Sequence, residues 1–413
     1  MKKSYNPWKF RASYFLHEFN TASYWSFVVV FLSTAGFTDS RIGVWMAIAC
    51  VPSLFFNSIN GLLCDKLNTI KKIFIPFYIV EALSAALFFW IANDVWMILF
   101  LVTTSTLCIS TSTMIDSWVL QSSDENRKKY HVIFICNPLG YATGALAVGF
   151  LVEKLGYNVI PITFLALGAI LLVFIFSLKD IDVRQGKTLS AQELEDTRIT
   201  PAKFKIMLTD SRFILLIVMM TILWFCQYVV AYYAPLKILD VGGTEGQIGL
   251  FYSIPLYAEL GIYFILERVM RHSKKIFTLN MVFVMVSASM LIVRSFLVGW
   301  ADTSIIIIFV GVFQIFVTPI IMTAPKLLIF AIAPKGMRST YQLTAVGIYI
   351  NLSQILASLI GGKWCEVFGY TTAYYLVAAV AVAGLVTTLI FYKVAQKNNP
   401  DRILAEADAA GEL

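Results

Sequence analysis

The sequence predicts an all-α integral membrane protein with twelve transmembrane helices in two pseudo-symmetric six-helix halves. Three observations predict it. The first is composition: 59% of the 413 residues are hydrophobic and only 14% are charged. A soluble domain carries about 25% charged and about 45–50% apolar residues, so a soluble enzyme is excluded. The second is a series of twelve apolar runs, each near the roughly 20 residues that span a bilayer. The third is a set of sequence blocks that recur half a chain apart. Twelve spans leave short loops and one longer connection, with no room for a soluble catalytic domain.

Taken in order, the runs lie near 12–35, 42–63, 73–92, 95–120, 131–151 and 159–178, then 213–239, 247–266, 276–298, 304–331, 340–362 and 371–393. Charged breaks separate them. An even number of crossings puts both termini on one side. That side holds 26 of the 32 basic residues, whereas only Arg41, Lys154, Lys237 and Lys363 fall on the other. This skew obeys the positive-inside rule and makes the basic side, with both termini, cytoplasmic in a multi-pass cell-membrane protein. The net charge of +7 therefore reflects topology, and no nucleic-acid partner is expected.

The six cysteines sit mostly inside apolar runs, with Cys365 placed in an outer loop, and no disulfide framework follows. The basic, apolar N-terminus carries His17, Glu18 and Asn20 and has no small-residue cleavage site, so it reads as the first membrane helix. The tail 398–413 is polar and expected to be mobile.

The repeats define the architecture. Gly36-Phe37-Thr38-Asp39-Ser40-Arg41-Ile42-Gly43 recurs as Gly242-Gly243-Thr244-Glu245-Gly246-Gln247-Ile248-Gly249. Asp65-Lys66 with Lys71-Lys72 recurs as Glu267-Arg268 with Lys274-Lys275, and GFLVEKLGY (149–157) as GKWCEVFGY (362–370). The expected organisation is an N-terminal half at 1–178, a cytoplasmic loop at 179–212, a C-terminal half at 213–397 and the tail. Parallel halves of this kind are a transporter design with the solute site near the midplane.

The loop from Gly61 through Asp65, Lys66 and Asn68 to Lys71 and Lys72 looks like the G-x-x-x-D-[RK]-x-G-x-x-[RK]-[RK] signature of the major facilitator superfamily, with Asn68 in place of glycine. Further landmarks are an acid on the fourth helix, Gly140-Tyr141 on the fifth, an acid on the eighth, an arginine on the ninth and PKGMRSTYQ before the eleventh. Their order resembles the oligosaccharide:proton symporter branch, which includes lactose permease. The resemblance implies the two-half fold, alternating access, a small solute and protons as partners, a monomer, and no cofactor.

Ionisable groups inside a membrane cost about 2.5–3.5 kcal/mol each, so each needs a reason. Four acids lie inside the runs: Glu18, Glu81, Asp116 and Glu259; Arg294 and Lys326 are the basic residues well inside. Glu18 lies roughly 10 Å past Arg11 at about 1.5 Å per residue. A partly desolvated carboxyl there can exchange a proton near neutral pH; the alternative is a helix-end acid bonded to a neighbour. Helical spacing puts Glu18, Ala22 and Trp25 on one face and points His17 elsewhere. Glu81 reads as a structural hydrogen-bond partner on a peripheral helix. Lys326 can snorkel to the cytoplasm.

The resemblance implies that Asp116 accepts hydrogen bonds from sugar hydroxyls, the alternative being a helix-end pair with Arg127 or Lys128. It also implies that Glu259 helps bind solute while Arg294 supports the proton site. Simple depths separate Glu259 and Arg294 by roughly 16 Å. The chain departs from the branch elsewhere: Gln314 and Val317 replace the helix-ten His and Glu, Phe134 the helix-five Arg, Tyr141 the stacking aromatic and Gln227 a helix-seven acid. The lactose-type relay is absent, so coupling falls to Glu18 first and Glu259 second, with Arg294 in support. Candidate solute contacts are Asp116, Asn20, Tyr141, Gln227, Gln314 and His17. Candidate gate residues are Asp65, Lys66, Lys71, Lys72, Glu267 and Arg268, which in the alternative supply only positive-inside charge.

No phosphate loop, metal-ligand cluster or nucleophile–base set stands out. The expected function is proton-coupled symport of a small polar solute, a sugar or related hydroxylated compound. A proton antiporter exporting drugs or metabolites is the alternative, and a transport-dead sensor or scaffold a third.

Overall fold

The structure, a computed structural model, describes residues 6–181, 207, 209–271, 273, 275–334, 337–397 and 399–409. Most of the expected central loop lies outside them. The described residues are helical almost throughout, with no strand among them. Two compact units result: Met1–Thr188 with Pro235–Tyr257 and Thr303–Ile308, and Leu189–Ala234 with Ala258–Asp302 and Phe309–Leu413.

In the first unit, α1 (Pro7–Trp25) starts with Pro7 in its first turn and with Asn6 accepting the Trp8 amide. Proline suits that position because the amide it lacks would have no helical partner. After a break at Ser26 and Phe27, α2 (Val28–Thr34) completes the first crossing. Thr38 caps α3 (Asp39–Leu67), which ends on Asn68 in the left-handed region at φ 55°. That conformation accounts for the departure from the signature: the loop needs left-handed backbone, and asparagine tolerates it best after glycine.

The unit continues with α4 (Lys71–Trp90), α5 (Asp94–Ser122), the short α6 (Asp124–Lys128) and α7 (Tyr130–Phe134), then α8 (Cys136–Leu155) and α9 (Val159–Ser177). On α5 the hydroxyls of Thr103, Thr106 and Ser110 each donate to the carbonyl four residues back. This local bonding lets a hydroxyl-rich helix lie in an apolar medium. Gly140 and Gly144 bring α8 against α1. A Cβ on Gly144 would stand 2.5 Å from the Phe19 carbonyl oxygen, and one on Gly140 would collide with that of Phe15. Small residues four apart permit this approach.

The remaining helices are α10 (Ser211–Asp240), α11 (Glu245–Arg271), α12 (Ile276–Trp300), α13 (Ser304–Gly311), a 3-10 turn (Val312–Phe316), α14 (Thr318–Ile332), α15 (Arg338–Gln396) and α16 (Pro400–Ala409). Nine helices among the described residues are long and apolar enough to cross a membrane. The α15 segment 340–396 would measure about 85 Å at about 1.5 Å per residue, far more than a bilayer core of about 30 Å. Its backbone turns at Gly369 (φ 75°), so it holds two crossings. With α1–α2 and α3 this is consistent with twelve.

Backbone geometry reproduces the repeats. Gly36 and Gly242 share positive φ (88° and 78°), as do Gly156 and Gly369 (77° and 75°). Thr38 accepts from the Arg41 amide. Its counterpart Thr244 forms a reciprocal cap with Gln247, each side chain accepting the other's amide. Within the first unit, Glu153 Oε2 accepts from the Gly246 amide and the Thr244 hydroxyl, both at 3.2 Å. Beside it the Tyr157 hydroxyl donates to Glu245 at 3.1 Å, and burial with the Glu245 charge pushes that phenol up.

Two expectations need correction. The tail is helical over Pro400–Ala409: Leu404 is buried, and Asp401 accepts from the Phe277 and Thr278 amides and the Thr278 hydroxyl at the start of α12. In the same way Asp180, after α9, accepts from the Lys71 amide and the Thr69 hydroxyl at the start of α4. An acid at a helix N-terminus satisfies amides that the helix cannot. Cys365 is inside α15 and buried, not in a loop.

Asp401→Ala removes three bonds from the α12 terminus and is expected to cost about 1–2 kcal/mol, the range of lost helix caps. Thermal unfolding in detergent checks this. An unchanged melting temperature would show that the α16 contact contributes nothing.

Candidate functional site

The interior face of α1 carries Ser13, His17, Glu18, Asn20 and Ser23, all buried. His17 and Glu18 were expected on different faces, yet His17 Nδ1 lies 3.2 Å from Glu18 Oε1. Two flexible side chains at the same level of a helix can curl toward each other when both are shut off from water. The other ring nitrogen, Nε2, lies 2.9 Å from the Thr111 hydroxyl, which donates to Glu81 Oε2 at 2.8 Å. Ser112 donates to Glu18 Oε1 at 3.2 Å. Thus α1, α4 and α5 join Glu18, His17, Thr111 and Glu81 in one buried chain.

Asn20 also ties helices together. Its amide donates to the Tyr78 hydroxyl and the Phe164 carbonyl, tying α1 to α4 and α9. Asp116 bonds to phenols rather than to Arg127 or Lys128. Its Oδ1 accepts from the hydroxyls of Tyr14 at 2.5 Å and Tyr130 at 3.0 Å. Arg127 pairs instead with Asp124. Tyr141 is half-buried on α8.

In the second unit, Arg294 is fully buried on α12. Its guanidinium donates to Gln227 Oε1 at 2.7 Å and to Gln314 Oε1 at 3.1 Å. Gln314 Nε2 in turn donates to Glu259 Oε1 at 2.8 Å. A single amide, that of Gln314, thus links Glu259 to Arg294. Gln314 can reach both because it sits in the 3-10 turn between α13 and α14, where Pro319 prevents one continuous α-helix. An amide suits this position: its oxygen faces the cation and its nitrogen the carboxylate. Nearby, Trp224, Tyr228 and Tyr232 form a ring ladder along α10, with centroids 5.3 and 5.8 Å apart, and Gln354 donates to the Tyr232 hydroxyl.

The expected gate residues divide. Lys71 Nζ donates to the Phe176 and Leu178 carbonyls, both at 2.7 Å, capping the negative end of α9. Lys66, Lys72 and Arg268 are exposed. Asp65 and Glu267 lie on α3 and α11, and their side chains fall outside the described residues.

Reading the sequence missed Thr111, Tyr14 and Tyr130 as site residues. The signal for Thr111 was the run TTSTLCISTST at 103–113, a hydroxyl density that an apolar helix does not need. The tyrosines carry no such signal, because aromatics are common in any membrane helix.

A sequence model of the MFS_1 like family matches residues 7–376. Among solved structures, the chain is similar to the nucleoside transporter NupG at TM-score 0.76 and 16% identity, covering 94% of this chain and 99% of that one. It is similar to a POT family transporter in complex with a thioalcohol-conjugated peptide (TM-score 0.71, 12% identity, 94% and 96% covered). A D-xylose–proton symporter is also similar (TM-score 0.68, 14% identity, 94% and 96% covered). No curated protein matches the sequence.

Gln314→Leu leaves Arg294 and Glu259 each short of a buried partner and is expected to cost about 3 kcal/mol, as when one partner of a buried ionic network is removed. Gln314→Glu retains an acceptor for Arg294 and is expected to cost less. Thermal unfolding of both variants checks the order, and equal losses would contradict the bridging role.

Proposed function

The chain belongs to the MFS_1 like family, transporters of the major facilitator superfamily, and from that premise we propose proton-coupled symport of a small polar solute by alternating access. The observation that carries this reading is a difference in charge balance between two buried networks. Around Arg294 one guanidinium faces one carboxylate through neutral amides. That network is neutral with Glu259 ionised, and Glu259 stands as the second candidate for coupling. Around His17 two carboxyls and one imidazole meet hydroxyls and the Cys108 thiol, and no Lys or Arg bonds to them among the described residues. Taking net charge out of water is expensive, so this network lowers its charge by holding protons.

The division of labour follows. The Glu18 network binds and releases the proton, and the Glu259–Gln314–Arg294–Gln227 network presents a preorganised set of donors and acceptors to the solute. Asp116, held by two tyrosines, is a further acceptor for hydroxyls, and Tyr141 a further contact. The aromatic ladder on α10 offers a flat apolar wall suited to a ring. A hydroxylated ring compound, a sugar or nucleoside, offers the hydroxyls and the ring face that groups of these kinds bind. The names of two similar structures, a nucleoside transporter and a D-xylose–proton symporter, support that solute class. The basic skew of the loops supports a cell-membrane location with both termini cytoplasmic.

In proteoliposomes carrying a one-unit pH gradient, wild-type protein is expected to accumulate its solute about tenfold at one proton per solute, since each pH unit is a factor of ten. Sugars and nucleosides are the compounds to screen. Glu18→Gln is expected to abolish accumulation while leaving solute exchange at equal pH near the wild-type rate. Full accumulation by Glu18→Gln would refute the assignment.

A further inference from the structure

We infer that Glu81, on a helix otherwise packed as scaffold, is the second proton-holding carboxyl of the coupling network, wired to Glu18 through His17 and Thr111. This rests on the proton-coupled reading above. Glu81 is buried at 1% exposure, and the Thr111 hydroxyl donates to it. A structural acid in an apolar bundle is ordinarily met by a cation or by several amides. Glu81 is instead met by the Thr111 hydroxyl and the Cys108 thiol, neither a cation nor an amide, at the end of a titratable chain.

The contacts form a wire whose hydrogen bonds can all reverse together. In one state Glu18 is protonated and its O–H donates to His17 Nδ1. The imidazole Nε2–H donates to Thr111 Oγ1, and the Thr111 O–H donates to the Glu81 carboxylate. Transfer breaks the Glu18 O–H and forms Nδ1–H. It breaks Nε2–H and forms a new Thr111 O–H, while the original threonine proton passes to Glu81 Oε2. In the second state Glu81 is the acid, Glu18 the carboxylate, and every donor has become an acceptor. One proton has moved from α1 to α4, the imidazole has changed tautomer, and net charge is unchanged.

Surrounding groups suit both states. Ser112 donates to Glu18 when its carboxylate carries the charge. The Thr111 hydroxyl also has the Leu107 and Cys108 carbonyls at 3.0 and 3.1 Å, so its proton keeps an acceptor if both Glu81 and His17 are protonated. The other titratable groups facing the network are Tyr78 on α4, Cys108 and Asp116 on α5, and Tyr141 on α8. All are neutral or acidic, so none supplies the cation that would fix Glu81 as a permanent carboxylate.

Threonine 111 makes the inference testable, because Thr111→Val keeps the shape and removes the hydroxyl, whereas Thr111→Ser keeps the hydroxyl. With Glu81→Gln, these variants are compared with wild type in proteoliposomes under a one-unit pH gradient and in counterflow at equal pH. Wild type is expected to accumulate solute about tenfold. Thr111→Val and Glu81→Gln are expected to exchange near the wild-type rate with no accumulation and a flattened pH profile, and Thr111→Ser to restore accumulation. Tenfold accumulation by Thr111→Val or by Glu81→Gln would overturn the inference. Should Glu81→Gln fail to fold, the Thr111 pair decides alone. Wild type that exchanges without accumulating would defeat the proton-coupled reading itself, an outcome visible before any variant is made.

Discussion

A polar group inside a bilayer has no water to turn to, and the structure is arranged around that constraint. Backbone groups are satisfied by helices. Hydroxyls on α5 bond to carbonyls one turn back, and helix termini are closed by Asp180, Asp401, Glu153 and Lys71. What remains are the ionisable side chains in the interior, each of which must find a partner or hold a proton. Function follows from how that remainder is resolved.

Each unit resolves it differently. Arg294 can never discard its charge, so its network is built of fixed dipoles, with Gln314 inserted where the symporter pattern has a histidine. This replaces a titratable element by a permanent bridge and is suited to holding geometry. Among the described residues no Lys or Arg bonds to the network around His17, which is built of two carboxyls, an imidazole and groups that donate to them. On the proposed reading, proton chemistry and solute recognition fall to two separate networks.

Much of the fold was legible in the sequence because its causes are local or periodic. Apolar run length gives the crossings, and the recurring Gly-x-Thr blocks mark positions where positive φ and a threonine cap are needed in both halves. The ionisable residues were legible as well, since each is costly. Their partners were not. His17 meeting Glu18, Thr111 joining α5 to α4, and Gln314 spanning Glu259 and Arg294 depend on side-chain reach and on a 3-10 turn, which spacing rules for a regular helix do not contain. The tail was misread because a short polar stretch looks solvated until one aspartate is seen to cap a distant helix.

The central claim is that solute movement carries protons through the network on α1. Its most direct test is the external pH of proteoliposomes at the moment a transported sugar or nucleoside is added, with no gradient imposed. External alkalinisation in step with solute uptake is the predicted result. Solute exchange with no pH change would make the protein a facilitator, and acidification on adding a lipophilic cation would make it an exporter; either would contradict the account.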